Sequence, residues 1–155
     1  MAPEPKDWMD VLQALATPAI AVAGLIIAWA QWSVNRARLR HELFEKRYRV
    51  YEALRRYVSS IMAHGNALPE AQAQFLANTA GAGFLFNGVI RAHLHEVWQK
   101  SLDLECIISE LNGLPIGEAR SAKCRMMYDI KTWFVHEPDE ADAMFEPFLN
   151  LGKMR

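Results

Sequence analysis

Proline and glycine are absent from every position between Leu25 and His64, and no charged side chain stands between Val11 and Asn35. The first absence removes the residues that most readily end a helix. The second removes the polar stripe that a helix lying on a soluble core carries. Cysteine is scarce: Cys106 and Cys124 stand alone, in amphipathic segments, without a CxxC or a Cys/His ladder. That excludes a disulfide framework and a zinc-finger reading, and leaves two reduced, structural thiols. No stretch alternates apolar and polar residues with period two over a useful length, so strands are not expected and the fold class is all-α.

The chain has 155 residues, 52% of them hydrophobic, and the excess is concentrated in one run near the N-terminus. Ala19 to Trp29 reads AIAVAGLIIAW, apolar at every position. Trp8 and Trp29 stand about 31 Å apart on an ideal helix, close to the thickness of a bilayer's hydrocarbon core, so both indoles, with Trp32, suit membrane interfaces. Pro18 is the obstacle: it kinks such a helix, or it starts one short enough to be half-inserted. Ala28-Trp29-Ala30 imitates a signal-peptidase site, but the flanks are reversed for a signal peptide, acidic before the run and basic after it.

Charge falls into zones. Glu4, Asp7 and Asp10 oppose Lys6 within residues 1–10, whereas residues 36–56 carry eight basic against three acidic side chains. The positive-inside rule puts the basic side in the cytoplasm. The expected organisation is a short extracytoplasmic N-terminus at 1–10, a transmembrane helix at 11–35, and a cytoplasmic helical domain at 36–155. Ala19-x-x-x-Ala23 and Gly24-x-x-x-Ala28 match the spacing that lets spanning helices approach closely.

The unbroken stretch after Leu25 predicts that the spanning helix continues to about His64-Gly65. Leu43, Val50 and Tyr57 recur every seven residues along it, as a candidate interaction face; Leu54 and Ile61 form a second row whose preceding heptad position is Arg47, and the arginines are expected to face water or headgroups. Pro69-Glu70 begins a short helix that stops near Ala80–Gly83. Ile90, Leu94, Val97, Leu104, Ile108 and Leu111 predict a long helix over 86–111, with Ser101 filling a gap. A further helix fits 118–135, and Pro138 separates it from a final short one at 139–151. The economical architecture is a small antiparallel helical bundle.

Leu43-Phe44-Glu45-Lys46-Arg47-Tyr48-Arg49-Val50-Tyr51-Glu52, an LFxxRxxVYE-like motif directly after a basic-flanked anchor, resembles a widespread group of uncharacterised single-pass bacterial inner-membrane proteins. Phe84-Leu85-Phe86 and Phe145-Glu146-Pro147-Phe148-Leu149-Asn150-Leu151 look like the same group's later features. The resemblance implies architecture and location, and no reaction.

No catalytic constellation is visible. His93 and His95 point about 200° apart on a helix and cannot share an ion; His93 and Glu96 are better placed, but further ligands are not identifiable. Gly81-x-Gly83 follows a helix and lacks a lysine, so it is no phosphate loop. Glu137, Asp139, Glu140, Asp142 and Glu146 read as a solvated helix start. The basic band with Tyr48, Tyr51 and Tyr57 could meet nucleic acid, but Arg36, Arg38 and Arg40 abut the apolar run, where anionic lipid is the better partner. The expectation is a non-enzymatic, cofactor-free interaction or scaffold protein at the inner membrane, self-associating or docking a cytoplasmic protein. The rivals are a membrane-perturbing effector with oligomerising spans, and an enzyme with a cryptic metal site around His93, Glu96 and Trp98.

Overall fold

The computed structural model describes residues 8–150, with side chains from Ile20 onward, Ala37 aside. Five helices follow one another: α1 (Trp8–His64), α2 (Pro69–Thr79), α3 (Ala82–Leu85), α4 (Gly88–Gly113) and α5 (Glu118–Leu149), with no strand among the described residues. The all-α expectation holds. Two compact units divide between His41 and Glu42.

The first unit is the upstream part of α1. Pro18 falls inside the helix, which opens at Trp8. From Ile20 on, the large apolar side chains are exposed, and three consecutive residues, Leu25, Ile26 and Ile27, are 70%, 61% and 57% accessible. Successive helical residues turn by about 100°, so these cannot share one stripe. Among the described residues no helix is long and apolar enough to cross a membrane.

The second unit is a helical bundle with one core. The rest of α1 contributes Val50, Leu54, Tyr57, Val58 and Ile61; α2 contributes Phe75; α4 contributes a row from Ile90 through Val97 and Leu104 to Leu111; α5 contributes Phe134, Ala141 and Phe145. Local chemistry fixes where each helix stops. Gly65 takes φ +73° and its N–H reaches the Ile61 carbonyl at 2.7 Å, the left-handed closure that glycine makes without strain. Pro69 opens α2 where its missing N–H has no helical partner to lose. Asn87 caps α4, its side chain accepting from Ile90 N–H at 3.3 Å. At the other end, Arg120 donates to the Leu111 and Leu114 carbonyls, both at 2.8 Å, placing a cation on the negative end of the α4 dipole. Antiparallel pairing of α4 with α5 follows from the short turn between them.

Two boundaries differ from the sequence expectation. The long helix begins at Gly88 because Phe86 is extended (φ −132°, ψ 170°), ending α3 with its ring buried, and Asn87 starts a new helix behind it. More consequentially, α5 runs through Pro138 as one helix to Leu149, where a break separating two helices was expected. Proline deletes the bond to the Phe134 carbonyl, but Phe134, Glu137, Ala141 and Phe145 recur at helical spacing and are all buried. Packing of that face outweighs the lost backbone bond. Replacing Pro138 with Ala restores the bond without altering the face, and should raise unfolding free energy by about 1–3 kcal/mol in a urea titration.

Candidate functional site

Arg47 joins three helices of the bundle. It stands one heptad before Leu54 on the row that packs inward, so its stem enters the bundle. Its Nε donates to the Leu85 carbonyl at 3.1 Å and its Nη1 to the Phe148 carbonyl at 3.4 Å, and the guanidinium lies 5.9 Å and 5.7 Å from the ring centroids of Phe86 and Phe148. Those carbonyls belong to the last residue of α3 and the last turn of α5, where unpaired acceptors and the negative dipole ends collect. The expectation that the arginines face outward is thus corrected at Arg47: the packing row gives it an inward direction, and two helix ends supply its acceptors.

Aromatic rings close around this point. Phe86 meets Phe145 and Phe148 edge-on at 5.1 Å and 5.5 Å, and Tyr51 lies 5.5 Å from Phe145. The Tyr51 hydroxyl donates to Asp142 at 2.6 Å, and Arg55 approaches the same carboxylate at 3.5 Å. The three stretches that carry the sequence resemblance, 43–52, 84–86 and 145–151, therefore converge in space as far as they are described.

A second polar cluster is sealed inside. His93 on α4 and Glu137 on α5 are 5% and 0% exposed, with Nε2 and Oε1 3.1 Å apart. The Glu137 hydrogen bond, helped by its charge and those of Glu140 and Glu96, raises the His93 pKa above its ordinary 6.5, against desolvation. Glu137 Oε2 has no hydrogen-bond partner among the described residues. Farther along α4, Tyr57 donates to Ser101 Oγ at 2.7 Å, and Ser101 donates to the Trp98 carbonyl at 2.7 Å. Burial pushes the Tyr57 hydroxyl up and keeps it a neutral donor. These buried groups tie the helices to one another.

Glu137 was expected on a solvated helix start, and His93 beside Glu96. Both expectations give way to the same fact: with α5 unbroken, Glu137 faces α4 and is the partner His93 takes. The hint in the sequence is that Glu137 lies three residues after Phe134 and eight before Phe145, in phase with the buried face. Glu96 is exposed, and Trp98 is half-buried. No group of three or more His, Cys, Asp or Glu side chains that could hold a metal occurs among the described residues.

Of the candidate interaction face, Val50 and Tyr57 are each 2% exposed and belong to the protein's own core, whereas Leu43 is 43% exposed. They cannot act as one docking surface. Among the interface candidates, Trp29 and Trp32 are exposed at 69% and 59%, and Arg36 places its guanidinium 5.4 Å from the Trp32 ring. Arg38 and Arg40 are exposed, and the Trp8 side chain lies outside the described residues. Downstream, Arg56 pairs with Glu52 at 2.9 Å and Arg49 with Glu45 at 3.9 Å. The two cysteines expected to be structural are both exposed and free.

Compared with family models, with curated proteins and with solved structures, the chain matches none.

Two outcomes follow for the polar contacts. Arg47→Met keeps the stem but abandons two carbonyls, and should destabilise the bundle by about 2–3 kcal/mol in denaturant titration; Arg47→Lys, lacking the fork, should recover little. His93→Leu leaves a buried carboxylate unpaired and should cost about 3–5 kcal/mol, most of it recovered in the His93→Leu/Glu137→Leu double variant. Because the folded pKa of His93 is raised, its charged form contributes fully below pH 6.5 and loses that contribution as pH climbs through the raised value. The wild-type advantage over the double variant should therefore shrink on the alkaline side.

Proposed function

We propose that this chain is a membrane-tethered helical interaction protein, a non-enzymatic scaffold held at the cytoplasmic face of a bacterial inner membrane by its N-terminal helix. The observation that carries the reading is the ring of exposed apolar side chains from Ile20 to Val34, ended by Trp32 and Arg36 in contact. A helix that is apolar on every side has two stable surroundings, protein core and lipid. The first unit offers it no core.

The span itself is read from the sequence. The charge-free run starts at Val11, ahead of the first described side chain, and the described part, 20–35, amounts to about 24 Å of helix against about 30 Å of hydrocarbon. Counted from Val11 the run is long enough, with some tilt. The arginines at 36, 38 and 40 then meet anionic headgroups and set the N-terminus outside. The buried dyad and the tyrosine–serine pair support a scaffold, since their polar groups are spent on holding the helices of the bundle together.

Fractionation tests the tether. The intact chain should stay with membranes through carbonate extraction, with residues from 36 onward shielded from protease added to spheroplasts. Ile26→Asp, which places a carboxylate in the run at about 3 kcal/mol, should move a substantial fraction to the soluble phase while the bundle's melting is unchanged. Wild-type protein recovered in the soluble fraction, or digested from outside, overturns the reading.

A further inference from the structure

Phe84 is 96% exposed although the two residues after it pack inward: Leu85 lies against the core and Phe86 is 8% exposed. It is not on a loose loop. The single turn of α3 is pinned by Phe84 N–H to Gly81 carbonyl at 3.1 Å, by Phe86 N–H to Ala82 carbonyl at 3.0 Å, by the burial of Ala82, and by Arg47 on the Leu85 carbonyl. A rigid turn thus presents a large aromatic to the outside, with Val89 at 61% exposure beginning the next helix.

The surroundings have one sign of charge. Behind Phe84 opens a groove of about 450 Å³ whose apolar walls include Leu76, Leu94 and Trp98. Its lining carries Arg91 and His95, and no acidic side chain among the described residues. Arg91 is drawn close to the tip, its Cδ 3.6 Å from where a side chain on Gly83 would begin. An exposed aromatic backed by a cation on an acid-free apolar groove complements a surface that is apolar inside and anionic at its rim.

Position selects which such surface. The chain enters this unit at Glu42, and Arg47, which holds the α3 turn, lies only about 8 Å along the helix from there. A tether upstream of Glu42 holds this unit within a short chain length of the bilayer, so an anionic lipid surface is the partner at hand. We propose that the α3 turn is a membrane-contact tip: Phe84 and Val89 enter the interfacial region of an anionic bilayer, Arg91 meets lipid phosphates, and the bundle is seated on the surface. This rests on the tethered reading and adds a second contact, made by the bundle itself.

The test uses the full chain with Cys106→Ser, Cys124→Ser and Phe84→Cys, spin-labelled at position 84 and reconstituted in phosphatidylcholine–phosphatidylglycerol vesicles; a parallel sample carries the label at position 128, where Tyr128 is 70% exposed on α5. Flotation is read on the same samples. The tip predicts that the label at 84 collides with dissolved oxygen more often than with an aqueous nickel chelate, with the order reversed at 128. If the chain floats but both labels behave as water-exposed, the tip is wrong and the tether stands. Spin–spin broadening at 84 in vesicles would assign the surface to a second copy, and immobilisation only on adding an acidic peptide would assign it to a protein, either one overturning the proposal. Failure to float removes tether and tip together.

Discussion

An arginine on a packing row is the constraint around which the bundle is arranged. Arg47 occupies a heptad position whose neighbours are Leu54 and Ile61, so its stem is carried toward the interior and its half-buried guanidinium takes protein acceptors in place of part of its water. Helix C-termini are the acceptors a helical protein always has to spare, and two of them arrive: the single turn of α3 and the last turn of α5. Packing Phe86 and Phe148 against the guanidinium excludes solvent from those bonds and strengthens them. The ends of two helices are thereby set by one side chain of a third, and the short α3, too brief to be stable alone, becomes a fixed part of the structure.

Arg120 repeats the device on a smaller scale at the end of α4, and Gly65 and Asn87 close other termini by backbone conformation and by a side-chain cap. In a protein made of helices, the unpaired groups at their ends are the main polar liability. Here that liability is what locks the connections, so the loops can be short.

Helix content, the stop at Gly65, the start at Pro69 and the packing row of α4 were legible in the sequence because each depends on local chemistry or simple periodicity. Ser101 is instructive: it reads as a gap in an apolar row, and it fills that gap as a buried hydroxyl paired with Tyr57. What local rules missed depends on partners far along the chain. Pro138 forbids a hydrogen bond but does not forbid a helix when the residues around it are buried, and from that one misreading came the loss of Glu137 as the partner of His93. Likewise Val50 and Tyr57 showed that a face would pack, but only the folded chain shows that it packs on itself.

The buried pair has a consequence for the hairpin of α4 and α5. Two amphipathic helices joined by a short turn have a soft error: sliding by one turn, about 5.4 Å, still lays apolar side chains on apolar side chains. Such a slip here would carry His93 and Glu137 out of reach of each other and strand both in hydrocarbon. Interchangeable apolar contacts can tolerate a shifted register; one charged contact does not. The pair acts less as glue than as an index mark, making a single alignment of the hairpin distinguishable from its near neighbours.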